Sequence, residues 1–226
     1  MILTGALVNC AAIVAGGILG TLGSRLMPEK MKETVLAATG LISIGIGVSG
    51  AIGSNNQLIP ILALVLGSVL GELLHIDSGV TRVGSWLQAR FGRFGPITEG
   101  FVSASLVFAV GAMAIMGALD SGLKNDHSIL LAKSAIDLAT AVAFAGSLGI
   151  GVAFSGLSVL VVEGGMALLA SLLTGVLTQA VITEITVTGS LMLIGIGLNM
   201  LGLTKLRIMN MTPALLLLPI LLCRFM

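Results

Sequence analysis

The sequence predicts an all-α, polytopic membrane protein, and three observations predict it. Only 9% of the residues are charged and 56% are hydrophobic, with mean hydropathy +1.13, whereas a soluble domain carries roughly 25% charged residues. The apolar runs are long enough to cross a bilayer core of about 30 Å as helices. Glycines, 31 in all, interrupt those runs and fall in stripes, as they do where membrane helices pack closely.

Taken in order, the apolar segments number eight: about 2–25, 34–53, 57–75, 99–119, 128–152, 155–179, 184–203 and 211–226. The first is apolar from Ile2 with no basic stretch before it, so it is expected to be a retained helix. Breaks fall at Arg25–Glu33, Ser54–Asn56, Ile76–Thr98, Asp120–His127, Phe154–Gly156, Ala180–Thr183 and Thr204–Asn210. No soluble domain fits between them, so residues 1–226 form a single transmembrane domain. Residues 79–94 differ from the rest. Val80, Val83, Leu87, Phe91 and Phe94 share one helical face, Arg82 and Arg93 point away, and Trp86 and Arg90 flank. That pattern predicts an amphipathic helix lying in the interface.

Lys and Arg set the orientation. Eight of the eleven, Arg25, Lys30, Lys32, Arg82, Arg90, Arg93, Lys205 and Arg207, fall in the first, third, fifth and seventh loops. Lys124, Lys133 and Arg224 fall on the other side. The basic loops are therefore expected in the cytoplasm and both termini outside.

A repeat is also expected. Ile44-Gly45-Ile46-Gly47 and Ile194-Gly195-Ile196-Gly197 are copies of one phrase, with Leu148-Gly149-Ile150-Gly151 a third. The first segment carries Asn9, Ala12, Gly16, Gly20 and Gly23 on one stripe; the sixth carries Glu163, Ala167, Ala170 and Thr174. Segments one to three (about 1–77) thus resemble six to eight (about 155–226), with central helices at 99–152 between. An odd number of segments separates the copies, so the repeat is inverted, a common transporter plan.

The chemistry-bearing residues are few. Lys133, Asp137, Thr140, Phe144, Ser147 and Gly151 share one helical face. Lys133 and Asp137 can pair at i,i+4, either as part of a polar track facing a cavity or as a structural pair with Lys133 snorkelling outward. Glu163 has no cation within one helical turn and is either a proton-loading site or a carboxyl bonded to nearby backbone. Asn9 and Asn199 either line a site or bond across helices. Asp137, counted from the outer end of its segment, and Glu163, counted from the inner end of its own, are expected at different depths, as two stations on one path. Glu72, His75 and Asp77 have the spacing of a weak metal site, better read as a solvated helix end. Cys10 and Cys223 are buried spectators without redox or metal spacing. No Ser–His–Asp set, no H-E-x-x-H and no phosphate-binding loop is present, so an enzyme is not expected. No cofactor or metal is implied, and with a net charge of +1 nothing suggests a nucleic-acid partner.

The run Gly111-Ala112-Met113-Ala114-Ile115-Met116-Gly117, then Asp120 and Gly122, Lys133-Ser134 with Asp137, Leu148-Gly149-Ile150-Gly151 and Phe154-Ser155 resembles the YqgA/YdfK-like family of uncharacterised bacterial membrane proteins. So does the end: Gly195-Ile196-Gly197-Leu198-Asn199, then Asn210-Met211 and Pro213. The resemblance implies a protein of the bacterial cytoplasmic membrane and supplies no substrate. It also implies a Gln before the glycine of the sixth segment, where this chain has Glu163-Gly164.

The function expected is transport or channelling of a small ion or small metabolite. Its binding residues would be Asp137, Glu163, Asn9, Ser147, Asn199 and Lys133, with backbone exposed at Gly149 and Gly151. The alternative is a non-transporting membrane scaffold, whose glycine stripes serve packing and homo-oligomer formation. In either case the bilayer is the obligatory partner.

Overall fold

Residues 1–24, 26–54, 56–91, 97–109, 111–173 and 175–225 are described by a computed structural model, with backbone alone at 29, 79–81, 83, 84, 87, 91 and 223–225. Among the described residues the fold is wholly helical: α1 (Thr4–Ser24), α2 (Glu29–Ala51), α3 (Leu58–Leu73), α4 (Ile76–Phe91), α5 (Thr98–Ala109), α6 (Ala112–Lys124), α7 (Ser128–Leu148), α8 (Gly151–Leu168), α9 (Ala170–Leu173), α10 (Gln179–Met200) and α11 (Pro213–Phe225), with a 3-10 turn at Ile208–Met211. By length and composition α1, α2, α7, α8 and α10 can each cross a membrane. The pair α5–α6 is a sixth candidate, bent by 64°. Leu58–Leu73 and Ile208–Leu222 are apolar but shorter.

The packing of α3 is inside-out by the standards of a soluble protein. Apart from Ile59 in its first turn, it buries Pro60, Ala63, Gly67 and Gly71 and exposes Ile61, Leu62, Val65, Leu66, Val69 and Leu70. In water that arrangement would waste the large side chains. In lipid they lose nothing by facing outward, and the small stripe lets backbones approach. Gly67 accordingly lies against Ala214 of α11, where an added Cβ would sit 2.6 Å from the Ala214 Cα. Together with the candidate spans, this makes the chain a membrane protein.

The same close approaches give helix directions. Gly16 and Gly20 meet the backbone of Leu138 and Val142 on α7, so α1 and α7 run parallel. Gly17 meets Ala153 of α8 while Gly164 meets Leu3, so α1 and α8 are antiparallel. Thus α1 wedges between α7 and α8. On the other side of the molecule α2 lies antiparallel to α10. An added Cβ on Gly40 would stand 3.1 Å from the Gly197 carbonyl, and one on Gly47 would stand 2.7 Å from that of Ser190.

The expected segmentation needs three corrections, one of them at Ala180–Thr183, which lies inside α10 and is no break. The fifth and sixth segments meet at Gly149-Ile150, not at Phe154–Gly156. Gly149 takes φ 74°, open to glycine at little cost, and α8 starts at Gly151. Gly151 tolerates no Cβ because the Ile97 carbonyl fills that space, and Ser155 is buried inside α8. The fourth segment is not one rod: it breaks before Gly111 (φ 156°), which precedes α6. The interfacial segment does form a helix, α4, with Arg82, Trp86 and Arg90 exposed. Its apolar side chains Val80, Val83, Leu87 and Phe91 lie outside the described set, as do residues Arg93 and Phe94 entirely.

Candidate functional site

The wedge of α1 brings four polar side chains together in the core. Asn9 of α1 and Glu163 of α8 are fully buried, and Lys133 and Asp137 of α7 nearly so. Asn9 Nδ2 donates to Asp137 Oδ2 at 3.0 Å and to Glu163 Oε1 and Oε2 at 3.0 and 3.1 Å. Lys133 pairs with Asp137 one helical turn on, and its Nζ lies 3.4 Å from Glu163 Oε1. Nζ also donates to the Phe108 carbonyl at 2.9 Å. That carbonyl belongs to the last turn of α5, where helix acceptors are otherwise left over and cations are favoured. Lys133 therefore ties the break of α5–α6 to both carboxylates. Asn9 Oδ1 is buried and receives no hydrogen bond among the described residues.

This geometry corrects the two-station expectation: Asp137 and Glu163 share one amide nitrogen. The turn at Gly149-Ile150 explains it. Each carboxylate lies thirteen residues from Ile150, so at about 1.5 Å per residue each stands roughly 20 Å from it. Starting α8 at 155 placed Glu163 too close to its own end. Nor is Lys133 a snorkelling side chain: its ammonium is held inside. Glu163 is not without a cation, because one arrives from a neighbouring helix.

Other expected site residues are elsewhere. Ser147 lies ten residues further along α7, with its Oγ near Phe144 O (3.1 Å) and Thr39 Oγ1 (3.4 Å). Asn199 holds the connection after α10, donating to Leu206 O at 2.8 Å and accepting from Thr204 Oγ1 and Leu206 N. Gly149 and Gly151 serve the turn and the contact with α5. Glu72 is engaged by Arg207 and Asn210, while the Asp77 amide donates to Asn210 Oδ1. Cys10 is half-buried and unpaired; the Cys223 side chain is not described.

A cavity of about 580 Å³ adjoins the cluster. Lys133, Asp137 and Thr140 of α7 form one wall, Phe108 and Gly111–Ala114 at the helix break another, and α2 and α10 the rest. Asp137 thus stands between the cavity and the dry pair Asn9–Glu163.

One buried carboxylate escaped the sequence reading. Glu184 is 3% exposed and accepts from Ser54 Oγ at 3.0 and 2.9 Å. It had been placed at the very start of a segment, where a charge is unremarkable. In fact α10 begins at Gln179, with Thr178 capping Val181 N. The Thr178 N-cap was the available signal.

No solved structure is significantly similar to the chain. It is 33% identical over 219 residues to "Uncharacterized protein YqgA" of Escherichia coli K12, covering 94% of this chain and 93% of that one. It is 25% identical over 220 residues to "Uncharacterized membrane protein YdfK" of Bacillus subtilis 168, covering 96% and 94%. The profile of the family described as "Protein of unknown function (DUF554)" matches residues 4–223, nearly the whole length, and the chain belongs to that family.

Proposed function

We propose that the protein is a transporter or channel for a small ion or small metabolite, coupled to a proton or cation, and not an enzyme. The observation that carries this reading is a charged cluster in the wall of a cavity beside a broken helix. Membrane proteins rarely tolerate buried charge without a use for it, and transporters set their sites at such breaks. Fully ionised, Lys133, Asp137 and Glu163 sum to one negative charge. A proton on a carboxyl or a cation in the cavity balances it.

The inverted repeat belongs to this proposal. Residues 44–47 correspond to 194–197, which makes Gly40 the counterpart of Ser190 and Gly47 that of Gly197. Gly40 meets Gly197 and Gly47 meets Ser190; an added Cβ at Gly47 would be 2.6 Å from Ile194 Cγ1, and one at Gly197 would be 2.6 Å from Ile44 Cγ1. Such reciprocity is what a two-fold relation produces. The helix directions suit eight passes, counting α5–α6 as one; the bacterial cytoplasmic membrane, with both termini outside by the placement of Lys and Arg, completes the proposal.

The test is flux in liposomes, screening protons, alkali ions, halides and small organic ions. Asp137→Asn and Glu163→Gln should each reduce flux in folded protein. Glu163→Gln should also flatten its pH dependence, since an amide cannot titrate. Unchanged flux in Glu163→Gln removes that residue from the mechanism. The second reading, a packing scaffold that forms homo-oligomers, is favoured by Gly16, Gly17 and Gly20 of α1, each set against the backbone of a neighbouring helix. Folded protein with no flux for any solute would select it.

A further inference from the structure

A second, smaller cavity of about 130 Å³ lies at the other end of α5 and α10. Asp77, Glu99, Ser103 and Asn199 supply its polar lining, and among the described residues no Lys or Arg contributes to it. Leu106 and Ile196 line both cavities. Along α5 the order is Glu99, Ser103, Leu106, Phe108; along α10 it is Asn199, Ile196, Leu193, Thr186. On both helices, residues of the small cavity come first, the shared pair next and residues of the large cavity last. The two cavities are therefore stacked along the helices, with Leu106 and Ile196 as the partition.

The partition is dry. Ile196 is 4% exposed, and Leu106 packs against the same apolar cluster, which includes Phe108, Met192, Met200 and Ile208. An ion cannot shed its water into such a constriction, so apolar partitions of this kind close a path by dewetting. The charges on either side share a sign. The small cavity has two carboxylates, and the large one has Lys133 outweighed by Asp137 and, behind it, Glu163.

We propose that Leu106 and Ile196 form the hydrophobic gate of a path for small cations, joining an acidic vestibule at Asp77 and Glu99 to the chamber at Lys133 and Asp137. The proposal rests on the transport reading above and adds to it the place of closure and the sign of the solute. In the conformation described, the gate is shut and the chamber is separated from the face that carries the α3–α4 and α10–α11 connections.

Cysteine labelling tests the gate without measuring transport. In protein with Cys10 and Cys223 replaced by serine, Ser103→Cys and Thr186→Cys are each exposed to a membrane-impermeant cationic thiosulfonate from that face. Ser103→Cys should react and Thr186→Cys should not. Leu106→Ala and Ile196→Ala should each raise Thr186→Cys labelling about tenfold, as for a barrier lowered by one decade in rate. Leu106→Phe, which fills the gap, should not raise it. Glu99→Gln should reduce the preference of Ser103→Cys for the cationic over an anionic reagent. Unreactive Ser103→Cys, or Thr186→Cys labelling unchanged by both alanine variants in protein that elutes as folded, overturns the gate. An unaltered reagent preference in Glu99→Gln overturns the cation assignment. A protein without flux but with this labelling pattern would fail the transport reading and not the partition, so the two outcomes are separable.

Discussion

Lys133 answers three acceptors: two carboxylates and the last turn of α5. Removing it leaves two carboxylates facing each other in the core, held by one amide. Losing one partner of a buried pair costs about 3–5 kcal/mol, whereas replacing both with apolar or neutral groups is far cheaper. We expect Lys133→Met to lower the thermal midpoint in detergent strongly, and Lys133→Met with Asp137→Asn to recover much of the loss. A Lys133→Met protein as stable as its parent would show that the ammonium contributes no net stability. The sequence revealed Lys133 and Asp137 as a pair, because i,i+4 spacing is local. It did not reveal Asn9 and Glu163 as their partners, because those contacts span 128 and 154 residues.

At the scale of the helix, the glycines divide into those that touch and those that do not. An added Cβ at Gly20 would run into the Val142 carbonyl and Ala145, whereas Gly23 has nothing within 4 Å. Gly20→Ala should therefore destabilise by about 1–3 kcal/mol through overpacking. Gly23→Ala should be neutral or slightly stabilising, because alanine favours helix. Thermal unfolding of the two variants side by side checks this; equal midpoints would mean α1 does not seat on α7 through its glycines. Gly149→Ala places a side chain at φ 74°, a conformation alanine adopts only at a cost, so it too should lower the midpoint. Most elements were legible from apolar run length alone. The break in the fourth segment was not: no proline or charge marks it, only Gly111 among many glycines. The α7–α8 turn was misplaced by a few residues, since Gly149, Gly151 and Gly156 look alike until φ and neighbours are known.

Over the whole molecule, the proposed topology predicts that cysteines at Lys30, Gln88 and Lys205 label from one face of the membrane and one at Asn125 from the other. Labelling of Asn125 together with the first three would refute it. Asn55, expected on the same face as Asn125, lies outside the described residues. The fold class was legible because lipid writes itself into composition. The proposed inverted relation rests in the sequence on repeated phrases alone, and the reciprocal approaches of α2 and α10 support it. The cavity was not legible at all, because it is space between four segments and no one of them records it.

The wedge of α1 also has a consequence in time. Asn9 leaves the ribosome 154 residues ahead of Glu163, a wait of roughly 8–30 s at ordinary rates of synthesis. Until Asp137 follows, 128 residues behind Asn9, the amide has no partner from α7, and until Glu163 it has none from α8. Lys133 and Asp137 enter the bilayer together on α7 and Glu163 follows on α8, where a charge at a helix centre costs about 2.5–3.5 kcal/mol by translocon scales. The polar centre is thus complete only once α8 is made, with α10 and α11 still to follow. An arrested chain ending before Glu163 should leave α1 loosely held, open to exchange with other helices or to membrane proteases.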